Sequence, residues 1–183
     1  WQQSIADQAI NYIQQTNQGQ LWVATSNGLY HFDNGKWISE LGVAINYFTE
    51  LTDGTLLAGG NDGLRVKPLT EELIEGKTYL SGNFISKLFL SSDGMMWSCS
   101  TAGIFSYNGV KWTQYGIQNP DVRLYPFTTN IFEDSKGRLW FTFPFSRLQV
   151  FSDGKLETSE SSLGRTRIIE TSDGRMWTVG YGE

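Results

Sequence analysis

Few side chains in this sequence are equipped for chemistry, and their spacing narrows the choice further. One histidine, His31, excludes a two-histidine metal site. One cysteine, Cys99, excludes an internal disulfide and any multi-cysteine metal cluster. A histidine-centred catalytic machine is correspondingly hard to build. Adjacent carboxylates occur at Glu71-Glu72 and Glu133-Asp134. Neighbours on a strand point to opposite faces, so Glu133 and Asp134 are not expected to work as an acid–base pair. No loop offers the roughly six to eight oxygens that calcium takes. The expectation is a chain with no catalytic residue, no cofactor and no metal.

Residues suited to binding fall into two sets. One recurs along the chain at a fixed phase: Tyr12, Tyr47, Lys87, Asn130 and Arg167, preceded by Asn11, Asn46, Ser86, Thr129 and Thr166. These open strands that line a common channel mouth, where they suit either a polar ligand or a solvated lining with ordered water. The other set is Asn119, Asp121, Arg123 and Tyr125, in the long connection from Tyr115 to Phe127. A sugar ring packs on a tyrosine face while its hydroxyls bond Asn, Asp and Arg. The alternative is an ordinary surface loop, although long loops on rigid scaffolds often carry binding. His31, between Tyr30 and Phe32, reads as an ordinary strand residue, and Cys99 as a small apolar one.

The elements that position these residues follow from a repeat. The segments Gly19-Gln20-Leu21-Trp22, Gly54-Thr55-Leu56-Leu57, Gly94-Met95-Met96-Trp97, Gly137-Arg138-Leu139-Trp140 and Gly174-Arg175-Met176-Trp177 share one pattern. Their glycines are 35, 40, 43 and 37 residues apart, near the period of about 40–45 for a four-stranded propeller blade. Six residues before each glycine stands an apolar residue: Ile13, Phe48, Leu88, Ile131 and Ile168. Asn-Gly or Asp-Gly dipeptides punctuate the units at matching places, and both fit type I′ hairpin turns. The expected fold is all-β, a β-propeller of four-stranded antiparallel blades with four complete blades and partial terminal ones. The units run about 9–40, 44–80, 84–115, 127–158 and 165–183 within a single domain or propeller fragment. A lone meander cannot bury both faces, so blades stack, and the anchor tryptophans are expected to plug the gaps. No helix is expected beyond one turn at 70–75.

Composition agrees. The chain has 183 residues, 14 Lys and Arg against 19 Asp and Glu, and a net charge of −5. That balance argues against a nucleic-acid partner, which demands a basic footprint. No apolar run approaches the length that spans a bilayer, so no membrane contact is expected from this segment. Trp1 fits a fourth-strand position, as Trp37 and Trp112 do. The expectation is therefore a piece of a longer propeller, beginning inside one blade and stopping after the second strand of another; a strand exchange between the termini is the alternative.

The pattern Ile-x-x-Asp/Glu-x-x-Gly-x-Leu-Trp-x-x-Thr-x-x-Gly-Leu resembles the two-component regulator propeller repeat. Its best matches are Ile131–Trp140 and Gly19–Leu29. Leu57 replaces the anchor tryptophan in the second unit, and the fourth carries an insertion around Pro144-Phe145-Ser146. The resemblance implies a periplasmic, ligand-sensing part of a bacterial membrane receptor. It further implies a small-molecule or oligosaccharide ligand and a homodimer formed through the parent receptor. Gly137-Arg138-Leu139-Trp140-Phe141-Thr142 is also similar to repeats of streptogramin lyase, a propeller enzyme, and a non-catalytic structural or dimerisation module is the third reading.

Overall fold

The computed structural model describes residue 5 and residues 8–67, 78–115, 130–143, 148–159 and 165–180. Among these residues every regular element is a strand. The first sheet is β1 (Ile10–Gln15), β2 (Leu21–Thr25), β3 (Gly28–Asp33) and β4 (Lys36–Leu41). The second is β5 (Ile45–Glu50), β6 (Leu56–Gly60), β7 (Gly63–Lys67) and β8 (Thr78–Tyr79). The third is β9 (Ile85–Leu90), β10 (Met96–Ser100), β11 (Gly103–Tyr107) and β12 (Trp112–Tyr115). The fourth is β13 (Asn130–Glu133), β14 (Leu139–Thr142), β15 (Gln149–Ser152) and β16 (Lys155–Thr158). A two-stranded sheet, β17 (Arg165–Glu170) and β18 (Met176–Gly180), follows. Strands neighbour one another in chain order within every sheet, and the pairings are antiparallel. These are propeller blades. The chain divides into two compact units, residues 1–88 and 89–183. The one-turn helix anticipated at 70–75 lies outside the described residues.

One turn recurs between the first and second strands of all five sheets, and it explains the anchor glycine. In the second sheet the Leu51 N–H donates to the Thr55 carbonyl at 2.8 Å, and the Gly54 N–H returns to the Leu51 carbonyl at 2.9 Å. The same pair of bonds joins Thr16–Gln20, Ser91–Met95, Asp134–Arg138 and Thr171–Arg175. The geometry requires a left-handed residue before the second strand, and the anchor glycines take φ from 74° to 83°. Side chains then secure it. The Asp93 carboxylate accepts the Ser91 hydroxyl at 2.6 Å and the Met95 N–H at 3.0 Å. Those two bonds hold its carboxyl below the ordinary 3.8.

Most of the dipeptides expected to form type I′ turns do not form them. Only Asn34-Gly35 (φ 45° and 82°) and Asp153-Gly154 (52° and 76°) place both residues at positive φ. These turns are two-residue links between third and fourth strands. At Asp53-Gly54, Asp93-Gly94 and Asp173-Gly174 the glycine alone is left-handed. The longer turn described above absorbs the strand twist there, and the aspartate is needed as a hydrogen-bond acceptor instead.

In the first unit, Trp22, Ala24, Leu29 and Leu41 of one sheet close on Ile45, Phe48, Leu56 and Ala58 of the next. Strand alternation puts Trp22 and Ala24 on a single face, while Ile45, Phe48, Leu56 and Ala58 are what enters it. Gly59 marks the next such contact: a Cβ there would lie 2.4 Å from Ile85 Cγ2, so β6 and β9 meet too closely for any larger residue. In the second unit, Trp97, Cys99 and Ile104 close on Ile131, Leu139, Phe141 and Phe143. The Trp97 ring lies 4.6 Å from that of Phe151 and 5.4 Å from that of Tyr115.

The tryptophan plug expected from the repeat is found at Trp22 and Trp97, which are buried, and partly at Trp140. It fails at Trp177, which is 56% exposed because none of the described residues covers that face of β17–β18. Trp97→Ala should therefore cost about 3–5 kcal/mol, as for other buried large-to-small changes. Trp177→Ala should shift stability by less than about 1 kcal/mol. Urea unfolding followed by circular dichroism checks this, and equal losses for the two would refute it.

Asp134 supplies a second test. Burial pushes its carboxyl up, but the Trp140 indole N–H at 2.9 Å, both the backbone N–H and Nε of Arg138, and the Lys136 N–H outweigh that and hold it below 3.8. A depressed carboxyl stabilises the fold above its ordinary value and loses that contribution as pH falls through the depressed one. Asp134→Asn should lower stability at neutral pH and flatten the loss on acidification below about 3.8, read from urea midpoints at a series of pH values.

Candidate functional site

The recurring polar positions are set by an irregularity in the inner strands. Register shifts between Ile10 and Tyr12 in β1, between Ile45 and Tyr47 in β5, and between Arg165 and Arg167 in β17. Each shift leaves one extra residue, Asn11, Asn46 or Thr166, opposite no partner. Such bulges bend a strand and re-aim the following side chain.

The sequence places Asn11 and Asn46 at a channel mouth, as a solvated lining or a polar ligand site. In the structure both brace one blade to the next. The Asn11 side-chain amide donates to the Ile45 carbonyl at 2.7 Å, and that of Asn46 donates to the Ile85 carbonyl at 3.2 Å and to Asn61 Oδ1 at 3.1 Å. The residues after the bulges behave differently, and in the first unit they come together. The Tyr12 and Tyr47 rings lie 3.9 Å apart, and Tyr12 also meets Phe48 edge-on at 5.3 Å. The Lys87 ammonium stands 4.2 Å from the centre of the Tyr47 ring. Three residues from three successive inner strands thus form one ladder, each half-buried. Burial, together with a hydrogen bond and the charge of Tyr12, raises the Tyr47 phenol well above its ordinary 10.0.

In the second unit, Asn130 is half-buried at the start of β13 and Arg167 is exposed on β17. Asn119, Asp121, Arg123 and Tyr125 lie outside the described residues, so the structure leaves the carbohydrate reading of that connection where the sequence left it.

Other candidates have structural partners. Glu133 accepts the Ser92 N–H at 2.8 Å and its hydroxyl at 2.6 Å, whereas Asp134 serves its own turn. The two serve different partners, Glu133 from the end of β13 and Asp134 from the turn that follows it. His31 Nδ1 lies 3.0 Å from Glu40 Oε1, and its ring lies 4.9 Å from that of Trp22. Among the described residues no group of three or more His, Cys, Asp and Glu gathers to hold a metal. Two polar sites escaped sequence reading: Ser98 Oγ and both amide atoms of Gln149 are buried without a hydrogen-bond partner. No spacing marked them, because nothing in their own strands distinguishes them from ordinary polar residues.

The chain is similar to solved structures that share this blade geometry. One is the extracellular domain of BT3049, described as a hybrid two component system, from B. thetaiotaomicron. It is 20% identical with a TM-score of 0.74, and the match covers 96% of this chain and 26% of that one. Another is virginiamycin B lyase from Staphylococcus aureus, 16% identical with a TM-score of 0.74, covering 96% of this chain and 64% of the lyase. A third is the extracellular domain of BT4673 from B. thetaiotaomicron, 18% identical with a TM-score of 0.52, covering 93% of this chain and 33% of that one. The chain spans about a quarter of the first structure and under two thirds of the lyase. No curated protein matches it. The class is therefore a β-propeller. Within that class, residues 4–27 match the model of the two component regulator propeller.

The ladder makes a titration prediction. Tyr47 stays protonated in the fold at pH values where an unfolded tyrosine ionises. Its contribution is complete below 10.0 and is lost as pH climbs above that value. Tyr47→Phe should flatten this alkaline loss of stability. Urea midpoints measured on both sides of the ordinary phenol value decide the matter.

Proposed function

We propose that this chain is part of the extracytoplasmic, ligand-sensing propeller of a bacterial signal-transduction receptor, that it is not itself an enzyme, and that its ligand is an oligosaccharide. The observation that carries the reading is the two component regulator propeller match at residues 4–27. Two further points support it. The structures it resembles include extracellular domains of hybrid two component systems. The inner strands also place two tyrosine rings and an ammonium in one half-buried row. Aromatic faces pack on sugar rings and an ammonium bonds hydroxyls or carboxylates, so Tyr12, Tyr47 and Lys87 form the contact surface in this reading. Asn130, Arg167 and the segment holding Asn119, Asp121, Arg123 and Tyr125 extend it. Location in the periplasm follows from the same reading, as does a homodimer made through the parent receptor.

The lyase likeness supports a second reading. Metal-dependent elimination would need a histidine base, and His31 sits in β3 beside Glu40 and Trp22. Adding a divalent metal and assaying elimination separates the two, since turnover would overturn the sensor reading.

The sensor reading is tested with an oligosaccharide panel in a thermal-shift screen. A ligand held at a hundred times its Kd stabilises the fold by about 2.7 kcal/mol. Lys87→Ala should weaken binding of that ligand about tenfold in calorimetry, a typical cost for a partly desolvated cation over a ring. Arg123→Ala and Tyr125→Ala test the loop in the same way. A panel that stabilises nothing would favour a structural module.

A further inference from the structure

Charge is distributed unevenly along the inner strands. The strands β1, β5 and β9 carry only two charged side chains, Lys87 near the start of β9 and Glu50 at the end of β5. Glu50 stands three residues beyond Tyr47, about 10 Å along an extended strand, and accepts the Asn17 N–H at 2.7 Å. Its counterparts Glu133 and Glu170 end β13 and β17, and they accept both the N–H and the hydroxyl of Ser92 and of Ser135. These glutamates staple each of their sheets to the preceding one. The inner-strand carboxylates are thus committed to packing, and each stands at the C-terminal end of its strand.

Toward the N-terminal ends the side chains are donors. Lys87 brings its ammonium to 4.2 Å from the centre of the Tyr47 ring. Burial raises the Tyr47 phenol, and so does its hydrogen bond with Tyr12. Only a bond that Tyr47 donates acts in that direction, because an accepted one would favour the phenolate. Tyr47 therefore gives its proton to the Tyr12 oxygen, and the Tyr12 O–H remains to be given elsewhere. Since Tyr47 stays protonated beyond its ordinary 10.0, it offers the ammonium a ring face and no negative charge. Asn130 and Arg167, at the same position of β13 and β17, also carry N–H donors. None of these five positions bears a carboxylate.

We propose that the Tyr12–Tyr47–Lys87 row takes an anionic sugar. An acidic oxygen of the ligand, from a uronate carboxylate or a sulfate ester, sits on the Lys87 ammonium, and a hydroxyl or ring oxygen of the same ligand accepts the Tyr12 O–H. This rests on the sensor reading above and narrows its ligand class. The chemistry is complementary in two respects. Carboxylate and sulfate oxygens only accept hydrogen bonds, and the row presents O–H and N–H groups. A bond in which both partners are charged is also about twice as strong as a neutral one, and the ammonium here is half-buried. A neutral sugar leaves that advantage unused.

Calorimetry on the whole chain tests this with matched pairs of oligomers: galacturonate and glucuronate oligomers against their carboxyl-reduced counterparts, and sulfated against unsulfated galactose oligomers. In at least one pair the acidic form should bind about tenfold more tightly, and its affinity should fall as salt is raised. The pair that discriminates tells carboxylate from sulfate. Lys87→Met keeps the length of the side chain and removes its charge. It should weaken the acidic form about tenfold and the uncharged form less than about twofold, and Lys87→Arg should restore most of the loss. Tyr12→Phe should weaken both forms alike; an unchanged affinity would remove Tyr12 from the contact. Circular dichroism checks that each variant is folded, and the comparison within pairs uses the parent alone. Equal binding of acidic and uncharged forms, or equal weakening of both by Lys87→Met, would overturn the inference and leave the sensor reading standing. Failure of every oligomer to bind would overturn both.

Discussion

A four-stranded antiparallel meander has two faces and covers neither. Every other feature of this chain answers that constraint. Alternation along each strand sends Trp22 and Ala24 one way and Leu21 and Val23 the other, so each sheet is a receiving surface on one side and an entering one on the other. Burial of a large aromatic contributes a few kcal/mol at most. Repeating the contact sheet after sheet makes it sufficient, in the manner of proteins whose stability sums over neighbours. Where the covering sheet is absent from the described residues, as at Trp177 and Ile13, the same residue types lie open.

The polar groups are subordinate to that contact but set its register. Turn donors such as Ser92 and Ser135 reach a carboxylate on the following sheet, and bulge residues such as Asn11 and Asn46 reach a carbonyl there. These bonds lie near opposite ends of the inner strand and so fix how far one sheet slides along the next. At the register of Glu50, Glu133 and Glu170 the third sheet carries Leu90. The fifth anchor turn uses Thr171 and Asp173 where the fourth uses Asp134, which shows that the turn geometry outlasts changes in the residues that secure it.

Most of the architecture was legible because it is periodic. Gly-x-Leu-Trp at a spacing near that of a blade, with an apolar residue six before it, marks the turn, the plug and the residue the plug meets. Turn type was less legible. Asn-Gly and Asp-Gly carry the same signal in a two-residue link and in the longer turn, and only the strand lengths around them distinguish the two. The site divides in the same way. The recurrence of Tyr12, Tyr47 and Lys87 placed them at equivalent positions, and equivalence in a stack means adjacency. The bulge that makes Asn11 and Asn46 into braces is a backbone event with no compositional mark. The glutamate staple had a signal that went unread, a Glu two residues after the inner apolar residue in Phe48-Thr49-Glu50, Ile131-Phe132-Glu133 and Ile168-Ile169-Glu170.

The shared fold cannot choose between a sensor and a lyase, because blades of one geometry support both. Side chains at the inner strands must decide, and here their partners matter more than their types. Tyr12 touches Tyr47 on one side and Phe48, which enters the first buried cluster, on the other. Lys87 reaches the same Tyr47 from the following strand. Under the sensor reading, a ligand that engages Lys87 or the Tyr47 ring therefore acts on groups that already hold successive blades together. Its binding energy is coupled to blade packing through direct contact, without a relay across the molecule. A catalytic group gains nothing from that arrangement, whereas a receptor that must turn occupancy into a change of packing does.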